Sequence, residues 1–286
     1  MIELDDILNS HRTGRAVVMG VLNVTPDSFS DGGEFFSPSD AVARARRIVA
    51  EGADVIDVGA ESTRPGSDRV SAEEQLARLH EVIPAVAASG AILSIDTTST
   101  KVAAFAMDCG AKIINDISAG RDDSDMFSLA ASRGAAMVLM HMLGKPKTMQ
   151  QAPSYQDVVV EVRRFLAERL DVAESAGLDR RRCIVDPGIG FGKRLEHNLA
   201  LLAGVDRLLK LDVPVLIGAS RKRFIGELTH CAEPADRVYG TVAASLAAWR
   251  RGATVFRVHD VAAVKQALAV ARAIEQNAPA EKKTPR

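Results

Sequence analysis

Eight short apolar runs punctuate the chain, and each ends abruptly in a polar or charged residue. They are AVVMGVLN, ending at Asn23, DVIDVGAE at Glu61, AILSIDT at Asp96 and KIINDIS at Asn115 and Asp116. The later four are AMVLMH at His141, RCIVDPG at Asp186, VPVLIGASRK at Ser220 to Lys222, and TVFRVHD at Arg257, His259 and Asp260. A continuous Val/Ile/Leu run suits a parallel strand that is covered on both faces. Helical stretches separate the runs, so the chain reads as repeated strand–helix units. Eight such units predict an α/β fold, a single (β/α)8 TIM barrel whose active site lies at the C-terminal ends of the strands. A doubly wound sheet is the alternative, and it requires a point where the strand order reverses. The evenly used strand ends favour the barrel.

The helices carry their own punctuation. Ser37-Pro38 supplies an N-cap followed by proline at the first helical position. Ser71-Ala-Glu-Glu74 is a capping box, opening a helix expected to continue through Ile83-Pro84. Gly52, Gly90, Gly110, Gly134, Gly177 and Gly252 each follow a helical stretch and precede an apolar run, the place for a left-handed helix stop. Residues 1 to about 15 predict a cap or short helix beneath the barrel. The barrel is expected over residues 1–275, with the polar segment 276–286 (QNAPAEKKTPR) as a disordered tail. Two loops, TPDSFSDGGEFFSPS after the first strand and STRPGSDRVSAE after the second, are longer than helix initiation requires. That length suits lids or binding loops.

Composition narrows the partners. A formal net charge of −1 argues against a broad electrostatic grip on nucleic acid or an anionic membrane. The three cysteines are widely spaced and form no CxxC pair, so they read as buried thiols in a reducing compartment. The first residues, MIELDDILNS, lack the basic and apolar regions of a signal peptide, and no apolar stretch is long enough to span a bilayer. A cytoplasmic protein is expected.

The strand ends then divide by chemistry. Asp96, Asp186, Asn115 and Lys222 are the groups needed to read a flat heterocycle with donor and acceptor edges. Arg64, Arg221, Arg257 and His259 form a basic set suited to phosphate or pyrophosphate, and Arg257 and His259 alternate so as to share one strand face. Asn23, Asp27 and Asp31 offer oxygens for a hard cation, which needs only one or two of them when phosphate is present. HxH, HExxH and GxSxG patterns are missing, which argues against a hydrolytic zinc site or a serine elbow. DPGIGFGK has neither the dinucleotide fingerprint nor the phosphate-loop spacing. Glu61, Asp116 and His141 fit no chemical role and are expected to support structure.

Seven segments in order, GVLNVTPDSFSDGG, DVGAESTRPGS, SIDT, INDIS, VDPGIGFGK, GASRKRF and RVHD, resemble the signatures of bacterial dihydropteroate synthases. The resemblance runs from about Val18 to Val270. It implies a homodimeric, Mg²⁺-dependent (β/α)8 enzyme, the sulfonamide target. Such an enzyme joins 6-hydroxymethyl-7,8-dihydropterin diphosphate to para-aminobenzoate and releases pyrophosphate. By the same resemblance Asp96, Asn115, Asp186 and Lys222 grip the pterin, while Ile117 and Met140 sandwich its ring. Asn23 is implied as the metal ligand, and Arg257 and His259 as the leaving-group residues, with Thr63 and Arg64 close by. Arg64, Pro65, Phe191, Ser220 and Arg221 are implied to frame the aminobenzoate. A corrinoid-linked pterin methyltransferase would share the carboxylate–amide grip without needing the STRPGS loop or the basic sets. A non-catalytic pterin-binding protein is the other alternative.

Overall fold

The computed structural model describes residues 2–25, 38–63 and 66–278. The expected first loop, residues 26–37, falls outside these, as do Arg64, Pro65 and the last residues, 279–286. Helices α1 (Leu4–Leu8) and α2 (Ser10–Thr13) precede β1 (Val17–Asn23), followed by α3 (Pro38–Ala50), β2 (Val55–Gly59), α4 (Ala72–Leu79), α5 (Val82–Ala87) and β3 (Ile92–Asp96). Next come α6 (Thr100–Asp108), β4 (Ile113–Asp116), α7 (Met126–Ser132), β5 (Ala136–Met140), α8 (Val158–Ser175) and β6 (Cys183–Asp186). The chain finishes with α9 (Leu195–Ala203), α10 (Val205–Leu208), β7 (Leu216–Ile217), α11 (Arg223–Thr229), α12 (Val238–Trp249), β8 (Val255–Val258) and α13 (Val261–Gln276).

All the strand pairings are parallel, in the order β6-β5-β4-β3-β2-β1-β8-β7. A parallel bridge between Val185 and Val215, with the Val185 N–H donating to the Pro214 carbonyl at 2.9 Å, brings the two edges together. The order never reverses, so the barrel expectation holds and the doubly wound alternative does not.

Because side chains alternate across a strand, each run contributes to two cores. Val17, Met19, Val55, Ile113, Val138, Ile184, Leu216 and Val255 turn inward and pack with Ile7 and Leu8 of α1, which plug the barrel floor as the N-terminal segment predicted. Their neighbours Val18, Ile56, Ile114, Met137, Val185 and Phe256 turn outward into the larger shell beneath the helices. The predicted caps are realised in part: the Ser71 side chain accepts from the Glu74 N–H, and the six glycine stops all lie at positive φ. The helix expected to run through Pro84 instead breaks after Leu79 and resumes at Val82 as α5. Proline lacks an N–H and its ring crowds the carbonyl four residues back, here that of His80, at the break. The last helix extends to Gln276, the first residue of the segment expected to be tail. Among the described residues no helix is long and apolar enough to cross a membrane.

Helix α3 docks on β1 through a gap left by one glycine. A Cβ on Gly20 would lie 2.4 Å from Ile48 Cγ2 and 3.0 Å from Val261 Cγ2. Gly20→Ala is therefore expected to destabilise the fold by about 1–3 kcal/mol, the usual cost of overpacking. In an Ile48→Ala background the penalty should shrink. Urea midpoints at constant m-value check this, and equal penalties in both backgrounds would contradict it.

Candidate active site

Two residues along from the apolar inner layer, the inward faces turn polar. Asp57 follows Val55, Ser94 follows Ile92, Asn115 follows Ile113, Asp186 follows Ile184 and Arg257 follows Val255. Asp57 is completely buried and accepts three hydrogen bonds: from Ser94 Oγ at 2.6 Å, Asn115 Nδ2 at 2.9 Å and Arg257 Nε at 2.6 Å. Arg257 Nη2 reaches Asp96 Oδ2 at 2.7 Å, so one guanidinium bridges two carboxylates. Burial pushes Asp96 up to about 7, against the pull of Arg257 and with the push of Asp57, Glu61 and Asp116. Burial also opposes the Arg257 charge, but Asp57 and Asp96 outweigh it and hold that pKa above its ordinary value. With one Nδ2 proton committed to Asp57, the Asn115 amide is held in one orientation.

Asp186 lies across the barrel mouth. Its Oδ1 accepts the Gly188 N–H at 2.7 Å; burial raises its pKa to about 6, opposed by that N–H and by Lys222, Lys193 and Arg257. Gly188 has φ +68°, and a Cβ there would sit 2.0 Å from the His141 carbonyl oxygen, so only glycine permits the approach. Lys222, just before α11, places Nζ 4.1 Å from the centre of the Phe191 ring, a cation–π contact. Phe191 joins Ile117, Met140, Met142 and Met149 in an apolar patch separate from the main cores, and Met140 pairs in register with Asp186. Apolar walls beside a carboxylate, an amide and an ammonium suit a flat ring with a polar edge.

The ends of β7 and β8 are tied together. Ser220 Oγ accepts the His259 backbone N–H at 3.1 Å and lies 3.1 Å from His259 Nδ1. Burial, then the charges of Arg257 and Arg221, lowers His259 to about 3. His259 is thus a neutral donor at physiological pH rather than a member of a cationic set. Arg221, at φ +58°, forks onto Asp260 through Nε at 3.0 Å and Nη2 at 2.6 Å, so its charge is spent bracing the two strand ends. Asn23 and Thr63 stand half-buried near the ends of β1 and β2.

Glu61, Asp116 and His141 behave as supports. Glu61 accepts from the Val70 N–H and Gln75 Nε2, both at 3.2 Å, folding the loop after β2 onto its strand. Asp116 turns outward and caps the Ser118 and Gly120 N–H groups, both at 2.7 Å. His141 contacts Lys193 behind the site, with Nζ to Nδ1 at 3.0 Å. Two residues escaped the reading of strand ends. Asp57 was visible as a carboxylate inside an apolar run, two places from inward Val55, and Lys193 as the cation ending DPGIGFGK.

A closed parallel barrel whose mouth carries this carboxylate–amide–lysine set beside an apolar wall defines an enzyme-type site for a polar heterocycle. Residues 19–259 match the family described as pterin binding enzyme. A dihydropteroate synthase of Neisseria meningitidis is 47% identical over 265 residues, covering 91% of this chain and 93% of its own. The solved structure of Xanthomonas albilineans dihydropteroate synthase with 4-aminobenzoic acid is 50% identical, with a TM-score of 0.87, covering 93% of this chain and 94% of its own. The same enzyme with 7,8-dihydropteroate superimposes with a TM-score of 0.84 at 46% identity, covering 97% of each chain. The chain belongs to the dihydropteroate synthase family of pterin-binding enzymes.

Asp57 should be costly to remove. Deleting one partner of a buried ion pair typically costs about 3–5 kcal/mol, and Asp57→Ala is expected near the lower end because Asp96 still faces Arg257. Chemical denaturation gives the value; a change below about 1 kcal/mol would show that Asp96 and water compensate.

Proposed function

We propose that this chain is a dihydropteroate synthase, condensing 6-hydroxymethyl-7,8-dihydropterin diphosphate with para-aminobenzoate to 7,8-dihydropteroate and pyrophosphate. The observation that carries the reading is the convergence of Asp96, Asn115, Asp186 and Lys222 on one barrel mouth, through the hydrogen bonds of Asp57 and Arg257 and the contact of Lys222 with Phe191. The relatives point the same way, since one solved structure of the family holds 4-aminobenzoic acid and another 7,8-dihydropteroate.

In this reading Asp186, Asp96 and Asn115 take the hydrogen-bonding edge of the pterin, and Lys222 donates to an acceptor on the ring. Ile117 and Met140 hold its faces. Phe191, Ser220 and Arg221 border the aminobenzoate, as do Arg64 and Pro65, which lie outside the described residues. Arg257 faces the diphosphate with the donors that Asp57 and Asp96 leave unused, and neutral His259 offers its ring N–H, with Thr63 close by. An arylamine is neutral and nucleophilic near neutral pH, so the difficult step is departure of pyrophosphate. The C–O bond to the diphosphate breaks first, in an SN1-like path, and the buried carboxylates share the positive charge left on the pterin methylene. The amine nitrogen then forms the C–N bond, and the proton it sheds passes to pyrophosphate or solvent.

A magnesium ion fits the donor set. Asn23 brings one amide oxygen to the end of β1, and Mg²⁺ commonly takes only one or two protein oxygens when phosphate and water supply the rest. Among the described residues no group of three or more His, Cys, Asp and Glu is placed to hold a metal. When bound, the ion neutralises charge developing on the leaving group. The proposal extends to a cytoplasmic homodimer, for which exposed Val270 and Ile274 on α13 supply apolar surface.

Pyrophosphate release, followed with and without para-aminobenzoate and Mg²⁺, tests the reaction. Release that requires both substrates, with product formed in equal amount, is expected; pterin binding without release would assign a binding role instead. Slow release without aminobenzoate is expected from the dissociative path, and its complete absence, together with no positional isotope exchange, contradicts that path.

The acid limb of pterin affinity supplies a further check. Binding needs ionised Asp186, whose pKa is raised to about 6, so affinity should fall as pH drops through about 6. Asp186→Asn should abolish that limb and weaken binding at neutral pH. A limb near pH 6 that survives the substitution unchanged, apart from the limb Asp96 contributes near 7, would remove Asp186 from the pterin edge.

A further inference from the structure

Lys193 is 3% exposed, yet among the described residues no carboxylate lies within 4.0 Å of its ammonium. Its three N–H donors go instead to His141 Nδ1 at 3.0 Å, the His141 carbonyl at 3.3 Å and the Phe191 carbonyl at 2.9 Å. Burying an ammonium without an anion is expensive. Burial accordingly lowers Lys193 to about 7, although Asp186 pulls the other way. His141 can accept only as a neutral ring, and burial followed by the Lys193 charge keeps it neutral, at about 2. The ring is also wedged edge-on against Phe165, with centroids 4.9 Å apart.

The tie spans two segments that meet with no room to spare. A Cβ on Gly188 would lie 2.0 Å from the His141 carbonyl oxygen, and one on Gly192 2.7 Å from that of Leu143. Those same segments carry Met140 on one side, and Asp186 and Phe191 on the other. Three cations favour the ionised form of Asp186: Lys222 from the segment after β7, Lys193 from its own loop and Arg257 from β8. His141, from the β5 side, contributes no charge.

We propose that Lys193 is a positioning residue for the condensation. Its ammonium fastens the segment after β5 to the segment after β6, seating Asp186 and Phe191 together, and its charge holds Asp186 in the ionised form that binds pterin. This rests on the pterin reading of the site, and the experiment separates the two. Affinity for 6-hydroxymethylpterin is measured by calorimetry from mildly acid to neutral pH for the unaltered chain, Lys193→Met and Lys193→Arg. Lys193→Met is expected to bind about fivefold more weakly near pH 6 and about tenfold more weakly below it, the equivalent of about one pKa unit, with its acid limb moved to higher pH. Lys193→Arg should return the limb toward its original position. Failure of the unaltered chain to bind the pterin overturns the pterin reading itself. Binding by Lys193→Met with an unmoved limb, whether weakened or not, overturns the proposal alone and leaves Lys193 a packing residue. If neither variant folds, the Lys193 ammonium resonance of the unaltered chain decides. A shift on pterin binding supports the proposal, and an unmoved signal overturns it.

Discussion

The site depends on one fully buried carboxylate. Asp57 can lie completely buried inside the barrel because Ser94, Asn115 and Arg257 all donate to it. Each donor sits on a different strand, so the hydrogen bonds that satisfy Asp57 also set the register between β2, β3, β4 and β8 at the level of the polar layer. An unpaired carboxylate at that depth would be prohibitively costly. The arrangement therefore works as a unit: Asn115 is oriented, and Arg257 is held between Asp57 and Asp96.

Above that layer the molecule economises on charge. The histidines near the mouth, His141 and His259, are neutral because burial and nearby cations disfavour their protonation. The carboxylates Asp96 and Asp186 are driven upward toward neutrality by the same burial. A pterin edge that donates hydrogen bonds would stabilise their ionised forms. Carboxylates with raised pKa at the mouth are what a polar ligand would stabilise, a common property of functional sites.

Much of this was legible from the order of residues. Val17, Val55 and Val255 lie inward because every buried strand alternates, and the polar residues at strand ends had to gather at one rim once the strands closed. Asp96, Asn115, Asp186 and Lys222 could be picked out on that ground alone. Asp57 escaped because attention to the last polar residue of each run passes over a charge in its middle. His259 was grouped with the arginines by residue type, whereas its charge state depends on burial and on cations brought from elsewhere in the chain. That the Arg221 guanidinium pairs with Asp260 is a contact across 39 residues that no local pattern encodes.

What the sequence determined by itself was the fold and the membership of its mouth, since both follow from short-range periodicity and from the chemistry at run ends. The tertiary structure decided which of those residues are joined, which are charged and which are spent as braces. The break before Pro84 and the fit of Gly20 against Ile48 belong to the first kind only in part, because each depends on which atoms a neighbouring turn or helix brings close. Proton affinity and ion pairing are set by three-dimensional distance and by access to water, and Lys193, Asp57 and Arg257 acquire their meaning only where distant segments meet.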